Sequence, residues 1–266
     1  MDRLVVVVKG GGDLATGVAH RLFRAGFAVV ITEIARPTVI RRTVAFAAAV
    51  YDGQTTVEGV TAVLSKADDA LAVVGRGAIP VLIDPRAACV DALRPAAVVD
   101  AIMAKANTGT ALTDAPVVIG VGPGFTAGVD VRAVIETMRG HDLGRVITTG
   151  PAAADTGIPG EIGGYGRERL IQAPAAGVFK TAADIGDVVK AGAVVAYVGD
   201  TPVRAGIDGV LRGLLHDGLM VDKGLKVGDI DPRCQVDHCF SISDKARAIG
   251  GGVLEALLMF GGGVSK

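Results

Sequence analysis

Gly10, Gly11 and Gly12 stand between a β-branched run and the first helical pattern of the chain. Leu4-Val5-Val6-Val7-Val8 fits a strand buried on both faces of a parallel sheet. Glycines in that position turn sharply and bring backbone N–H groups up to an anion. Asp13, Leu14 and Ala15 then open a helix in which Leu14, Ala15, Val18, Ala19, Leu22 and Phe23 recur at helical spacing, and Gly26 takes the C-cap position. A second apolar run, Phe27 to Thr32, ends at Glu33. Gly10, Gly12 and Ala15 match G-x-G-x-x-A, and Glu33 lies 21 residues after Gly12, where a carboxylate accepts hydrogen bonds from a ribose. The chemistry is nucleotide or phosphate binding, with residues 10–15 and Glu33 as contacts. The bland alternative is a tight turn that binds nothing. Arg36, Arg41 and Arg42 come next. Near a ribose they would pair with a 2′-phosphate or a second pyrophosphate, and Arg41 is kept as a candidate contact. Solvated surface arginines are the alternative.

A second glycine-rich turn, Gly120-Val-Gly122-Pro-Gly124-Phe125-Thr-Ala-Gly128-Val-Asp130, follows the strand pattern Val117–Val121. It adds Gly122, Gly124 and Phe125 as candidate contacts, because open α/β sheets bind ligands at the carboxyl ends of their strands. Asp130 is expected to cap a helix over Val131–Met138. The breaker-rich stretch from Gly150 to Tyr165 reads as a functional loop or an interdomain linker, with Asp155, Glu161 and Tyr165 as polar contacts. Cys234 and Cys239 flank His238, but one Cys-x4-Cys is poor zinc arithmetic and no metal site is expected. Cys239 is the one catalytic candidate, a sulfur or selenium carrier if Arg233 or Lys245 stabilises its thiolate. A buried inert cysteine is the competing reading.

The elements that must position these groups alternate along the first half. Strands are expected at Ile79–Asp84, Ala97–Asp100, Val117–Val121 and Arg145–Thr148, and helices at Val44–Tyr51, Val60–Leu71 and Val131–Met138. From Ala173 to Asp231 the character changes. Gly177-Val178 aligns with Gly209-Val210, Val189 with Val221, Gly192 with Gly224 and Val195 with Val227, every pair 32 residues apart. Such paired short strands resemble the barrel-sandwich hybrid of biotinyl and lipoyl domains. Those domains carry a modified lysine on the hairpin joining the halves, and no lysine occurs here between Lys190 and Lys223. A helix is expected from Ser243 through Phe260, interrupted by Gly250-Gly251-Gly252, which allow close packing against another backbone or a ligand. The expected class is α/β: a Rossmann-like parallel-sheet nucleotide-binding domain over 1–172, a barrel-sandwich-hybrid-like β domain over 173–233, and a C-terminal helical segment over 234–266.

Half of the 266 residues are hydrophobic, yet no apolar run approaches the ~20 residues needed to span a membrane. Tryptophan is absent, aromatics make up 4%, and the net charge is −1, so neither nucleic acid nor an anionic membrane is an expected partner. The apolar run before Lys9 is too short for a secretory signal, and three scattered cysteines make no disulfide framework. A cytoplasmic setting is expected, with a homo-oligomer possible.

Several segments in order resemble one family: Gly10–Gly17, Arg41–Phe46, Gly122–Asp130, Arg139–Arg145, Thr156–Gly160 and Ile242–Glu255. They are similar to YqeB-type accessory proteins of selenium-dependent molybdenum hydroxylases, and more loosely to XdhC-type factors. The resemblance implies a maturation role with such a hydroxylase as partner. It also implies a bound nucleotide-containing cofactor, molybdopterin cytosine dinucleotide or NAD(P). It carries over no catalytic residue. Two other functions compete: an NAD(P)-dependent oxidoreductase, favoured by Glu33 but without a visible proton-transfer residue, and a docking scaffold with a degenerate nucleotide pocket.

Overall fold

The computed structural model describes residues 3–157 and 160–261; Ile158 and Pro159 of the Thr156–Gly160 segment, and residues 262–266, lie outside them. The chain forms two compact units. The first comprises Met1–Pro37, Ala45–Thr156 and Ile242–Lys266, and the second Thr38–Val44 and Gly157–Ser241. The division thus falls elsewhere than 1–172, 173–233 and 234–266. A strap from the N-terminal third joins the second unit, and the C-terminal helix joins the first.

The first unit is built on β1 (Val5–Lys9), β2 (Ala28–Glu33), β3 (Gln54–Val57), β4 (Val60–Ser65), β5 (Ile79–Ile83), β6 (Ala97–Asp100), β7 (Val117–Val121), β9 (Ala133–Ile135) and β10 (Val146–Ile147). They form one sheet in the order β10-β9-β7-β6-β1-β2-β5-β4-β3. The inner seven strands are parallel, and β10 and β3 are antiparallel edges. A two-residue pairing of β8 (Thr126–Ala127) with β11 (Gly150–Pro151) lies outside it. Val6, Val7 and Val8 of the central strand are fully buried, which accounts for the uninterrupted β-branched run.

Around this sheet the helices are α1 (Asp13–Arg24), α2 (Ala49–Asp52), α3 (Ala70–Gly75), α4 (Cys89–Leu93) and α5 (Asp244–Phe260). Ser243 caps α5 through the Ala246 N–H at 3.2 Å. Gly17 and Gly250 let α1 and α5 meet at backbone distance, since a Cβ on Gly17 would lie 2.7 Å from the Ala246 Cβ and one on Gly250 2.7 Å from the Gly17 carbonyl oxygen. Close packing is therefore the role of Gly250, while nothing lies within 4 Å of the Cβ position of Gly251. On the other face Val7, Val30, Leu82, Val98, Ala70 and Cys89 form a cluster under α3 and α4.

In the second unit, β12 (Leu170–Gln172), β19 (Lys226–Asp231), β17 (Gly209–Leu214) and β14 (Val188–Val189) make one antiparallel sheet. A second contains β16 (Thr201–Arg204), β15 (Val194–Val198), β13 (Gly177–Thr181) and β18 (Met220–Val221). Strands β13, β14 and β15 recur as β17, β18 and β19, and the two short strands are exchanged: β14 pairs with β17 and β18 with β13.

The expected Rossmann-like domain with a barrel-sandwich hybrid is corrected by these topologies. The large sheet is mixed, with antiparallel strands at both edges, and the second unit is a pair of four-stranded antiparallel sheets that also takes in residues 38–44. Three expected helices fail for physical reasons. Val60–Ser65 is a strand because Val60 and Ala62 face inward by alternation, and Glu58 and Gly59, both at positive φ, turn it back on β3. Val131–Met138 contains β9, whose Ala133, Val134 and Ile135 are fully buried between β7 and β10. Val44–Tyr51 breaks into short 3-10 turns and the one-turn α2.

Candidate active-edge site on the first unit

From β1 the chain passes to β2, on to the β3–β4 edge and back in to β5, and then crosses to β6, β7 and β9 on the other side, so the strand order reverses between β1 and β6. Carboxyl ends at such a reversal leave a crevice for ligands. Lys9 and Asp100 end β1 and β6 there as register partners. Both are buried, with Lys9 Nζ 3.5 Å from Asp100 Oδ2. Lys9 also donates to the Thr110 hydroxyl, which donates to Asp100 Oδ2 at 2.6 Å. The Ile102 N–H donates to Asp100 Oδ1 at 3.1 Å. A charge buried to this extent persists only when paired and hydrogen-bonded, and here both conditions hold. Sequence reading missed this cluster. Its one local signal is a charged residue closing each of two otherwise apolar strands.

Above it runs the Gly10–Gly12 turn. Gly10 has φ +90°, and a Cβ there would sit 3.0 Å from the Ile102 Cα. A Cβ on Gly11 would sit 2.9 Å from the Ala47 nitrogen, whose N–H donates to the Gly11 carbonyl at 2.8 Å. Gly12 differs: nothing lies within 4 Å of its Cβ position. It is the N-cap of α1 and has no side chain with which to cap the helix. The first-turn N–H groups have no intrahelical acceptor and lie at the positive end of the helix dipole. Asp13 supplies a carboxylate in that turn, Leu14 is half-buried, and Ala15 is buried beneath it.

Glu33 is drawn to the same turn. Its Oε1 accepts the Gly11 N–H and its Oε2 the Ile34 N–H, both at 2.8 Å. Burial pushes its carboxyl up from the usual range, and the two N–H donors pull it part of the way back. Burial, then the Glu33 charge, likewise raises the Tyr51 phenol, so Tyr51 belongs to this neighbourhood although its sequence context gave no sign of it.

The second glycine turn closes on protein instead. Cβ atoms on Gly122 and Gly124 would meet Thr137 Oγ1 at 2.8 Å and the Ala106 nitrogen at 2.7 Å. Phe125 is buried over Gly120, in a cluster with Val118, Ala127, Val131, Val134 and Ala152. No helix succeeds it, and Asp130 takes the Thr126 N–H at 2.8 Å rather than capping one. The loop between the two turns has Met103 and Lys105 at φ +63°, and Lys105 pairs with Asp155 at 2.6 Å. Glu161 and Tyr165 are exposed in the second unit. Glu136, buried at the end of β9, accepts three N–H groups, from Thr137, Met138 and Ala153.

Arg41 and Cys239 belong to the second unit. Arg41 pairs with the fully buried Asp229 at 3.1 Å, and Arg169 lies 3.4 Å from the same carboxylate. Burial pushes the Cys239 thiol up; the positive charge of Arg212 opposes this and the negative charge of Asp231 adds to it. Its Sγ donates to the Leu211 carbonyl at 3.8 Å. A buried, protonated thiol is a poor nucleophile. Neighbouring Asp231 is held at about 2: burial alone would raise it, but Arg233 donates three hydrogen bonds to it and Arg212 lies 3.2 Å away. Among the described residues no group of three His, Cys, Asp or Glu could hold a metal ion, and no helix is long and apolar enough to cross a membrane.

No protein-family model matches the chain. Solved structures similar to it share low sequence identity and low TM-scores with it. One is an aspartoacylase family protein from Mesorhizobium loti, at 12% identity and a TM-score of 0.27 over 86% of this chain and 85% of that one. Another is the product-bound ectoine utilization protein EutE (DoeB) from Ruegeria pomeroyi, also at 12% identity, with a TM-score of 0.26 and the same coverage. In sequence the chain is 55% identical over 256 residues to the uncharacterized protein YqeB of Escherichia coli (strain K12). The match takes in 96% of this chain and 47% of that protein, so the chain spans about half the length of the curated relative it matches.

Proposed function

We propose that the first unit holds a nucleotide-containing cofactor, a molybdopterin dinucleotide or NAD(P), by its phosphates on the Gly12 turn. On this reading the chain acts in the cytoplasm as an accessory protein in the maturation of a selenium-dependent molybdenum hydroxylase, as a member of the YqeB-type group with its looser likeness to XdhC-type factors. One observation carries the binding part: Gly12 caps α1 with open space at its Cβ position and no side-chain cap, at the point where the strand order reverses. Gly12 and the first turn of α1 would hold the phosphates, and Glu33 would keep the turn in shape through Gly11. Bound cofactor would supply the chemistry; the chain's own groups bind and orient it. The 55% identity to YqeB supports the family part. Cys239 has no role in this reading, because its thiol is buried and held protonated.

Mass spectrometry of small molecules released from protein purified from its native host tests the proposal. A molybdopterin dinucleotide is the expected release. NAD(P) would instead favour an oxidoreductase. A protein that releases neither and ignores both in titration would be a scaffold.

A further inference from the structure

A groove of about 1090 Å³ opens over β4 and β5, outside the turn described above. Its floor includes Val63 and Leu82, and α3 and α4 supply walls through Val73, Cys89 and Ala92. The volume is just above the roughly 300–1,000 Å³ of small-molecule sites, and such sites are mostly apolar with a few polar groups. Here the edge carries Lys66 and Arg76 together with Asp69 and Asp84. Cys89 does not make it a reactive site. Burial, then the Asp84 carboxylate, pushes that thiol up to about 12. Asp84 is itself engaged, accepting the Ala88 and Cys89 N–H groups at 2.9 and 2.8 Å.

The groove lies beside β2, the strand that ends at Glu33. Ile83 and Asp84 line it at the carboxyl end of β5. Ile83 is the register partner of Glu33, and the Asp84 N–H donates to the Glu33 carbonyl at 2.9 Å. Glu33 in turn holds Gly11. From β1 across β2 to β5 is two strand spacings, about 10 Å, a length that fits the reach of a nucleoside from its phosphate to its base.

We infer that this groove is the base subsite: it takes the flat, largely apolar nucleobase of a ligand whose phosphates lie on the Gly12 turn. The inference rests on the binding reading above. The aliphatic walls grip the ring faces.

Titration calorimetry of the full chain with inorganic pyrophosphate, ADP and CDP tests it, on wild type, Ala92→Phe, Ile83→Glu and Gly12→Asp. Ala92 and Ile83 are exposed, so both groove variants have room to fold, and melting curves check that they do. Wild type is expected to bind at least one diphosphate nucleoside ten-fold or more tighter than pyrophosphate. Ala92→Phe and Ile83→Glu should remove that margin while leaving pyrophosphate affinity within two-fold, and Gly12→Asp should lose all three probes. Equal binding of nucleotide and pyrophosphate, unchanged in both groove variants, overturns the base subsite and leaves the phosphate reading standing. Wild type that takes up none of the probes overturns both.

Discussion

The two glycine turns of the first unit have nearly the same composition and opposite physical roles. At Gly122 and Gly124 the missing side chains are replaced by protein: Thr137 and the Ala106 backbone stand where a Cβ would go. At Gly12 the missing side chain leaves open space. The element behind each turn makes the difference. A twelve-residue helix starts at Asp13 and brings its first-turn N–H groups to the turn, whereas after Phe125 the chain passes through a two-residue strand into β9. A glycine-rich loop leaves room for an anion only when a helix opens behind it and nothing else has taken the space.

The hardest test of this contrast lies beneath the first turn. Lys9→Met would leave Asp100 buried with only the Thr110 hydroxyl and the Ile102 N–H to offset its charge. Breaking one side of such a pair costs about 3–5 kcal/mol, and the melting temperature should fall by roughly 10 °C. A neutral result would mean that the pair does not anchor the turn. Gly124→Ala should come next, at about 2–4 kcal/mol, because it combines a left-handed φ of +110° with a Cβ 2.7 Å from backbone nitrogen. The same change at Gly12, where φ is −64°, should cost less than about 1 kcal/mol. Equal losses in chemical denaturation would erase the distinction between the turns.

The sequence carried the local half of this site and not the tertiary half. Val5–Lys9, the turn, α1 and Ala28–Glu33 are legible from β-branched runs and helical spacing within thirty residues, and Ser243 announced α5 by its capping chemistry. Lys9 and Asp100 are 91 positions apart, so their pairing exists only once β6 has come back beside β1. Val131–Ile135 satisfies a helical pattern as well as a strand, and burial between two strands decides it. Arg41 looked like a neighbour of Glu33 because only eight residues separate them. The chain leaves the first unit after Pro37, and Arg41 pairs with Asp229 in the second.

That second unit offers another contrast, a carboxylate held ionised rather than pushed up. Asp231 is held at about 2 in the fold, below its ordinary value of 3.8. A depressed carboxylate adds stability above its unfolded pKa and loses it as pH falls through the folded one. The window is therefore about pH 4 down to 2, and the contribution about 2 kcal/mol. Glu33 has the opposite sign, since its raised carboxyl makes ionisation cost stability as pH rises through the folded value. Urea denaturation monitored from pH 6 to 2 should show a steep acid limb that is flattened in Asp231→Asn. An unchanged limb in that variant would assign it to other carboxylates.

The smallest stability effect makes the sharpest comparison, because at Gly12 stability and binding should move in opposite directions. Aspartate is a better N-cap than glycine by a few tenths of a kcal/mol, and its charge suits the positive end of α1. Gly12→Asp also places its carboxylate in the space now open, where nothing obstructs it. The variant should melt at or slightly above the wild-type temperature. Bound phosphate, by contrast, would meet a like charge and a filled cradle, so its affinity should fall ten-fold or more. A variant that lost stability would show that the open space at Gly12 is structurally required. One that kept both stability and phosphate affinity would move the anion site away from α1, and the two glycine turns would then differ in packing alone.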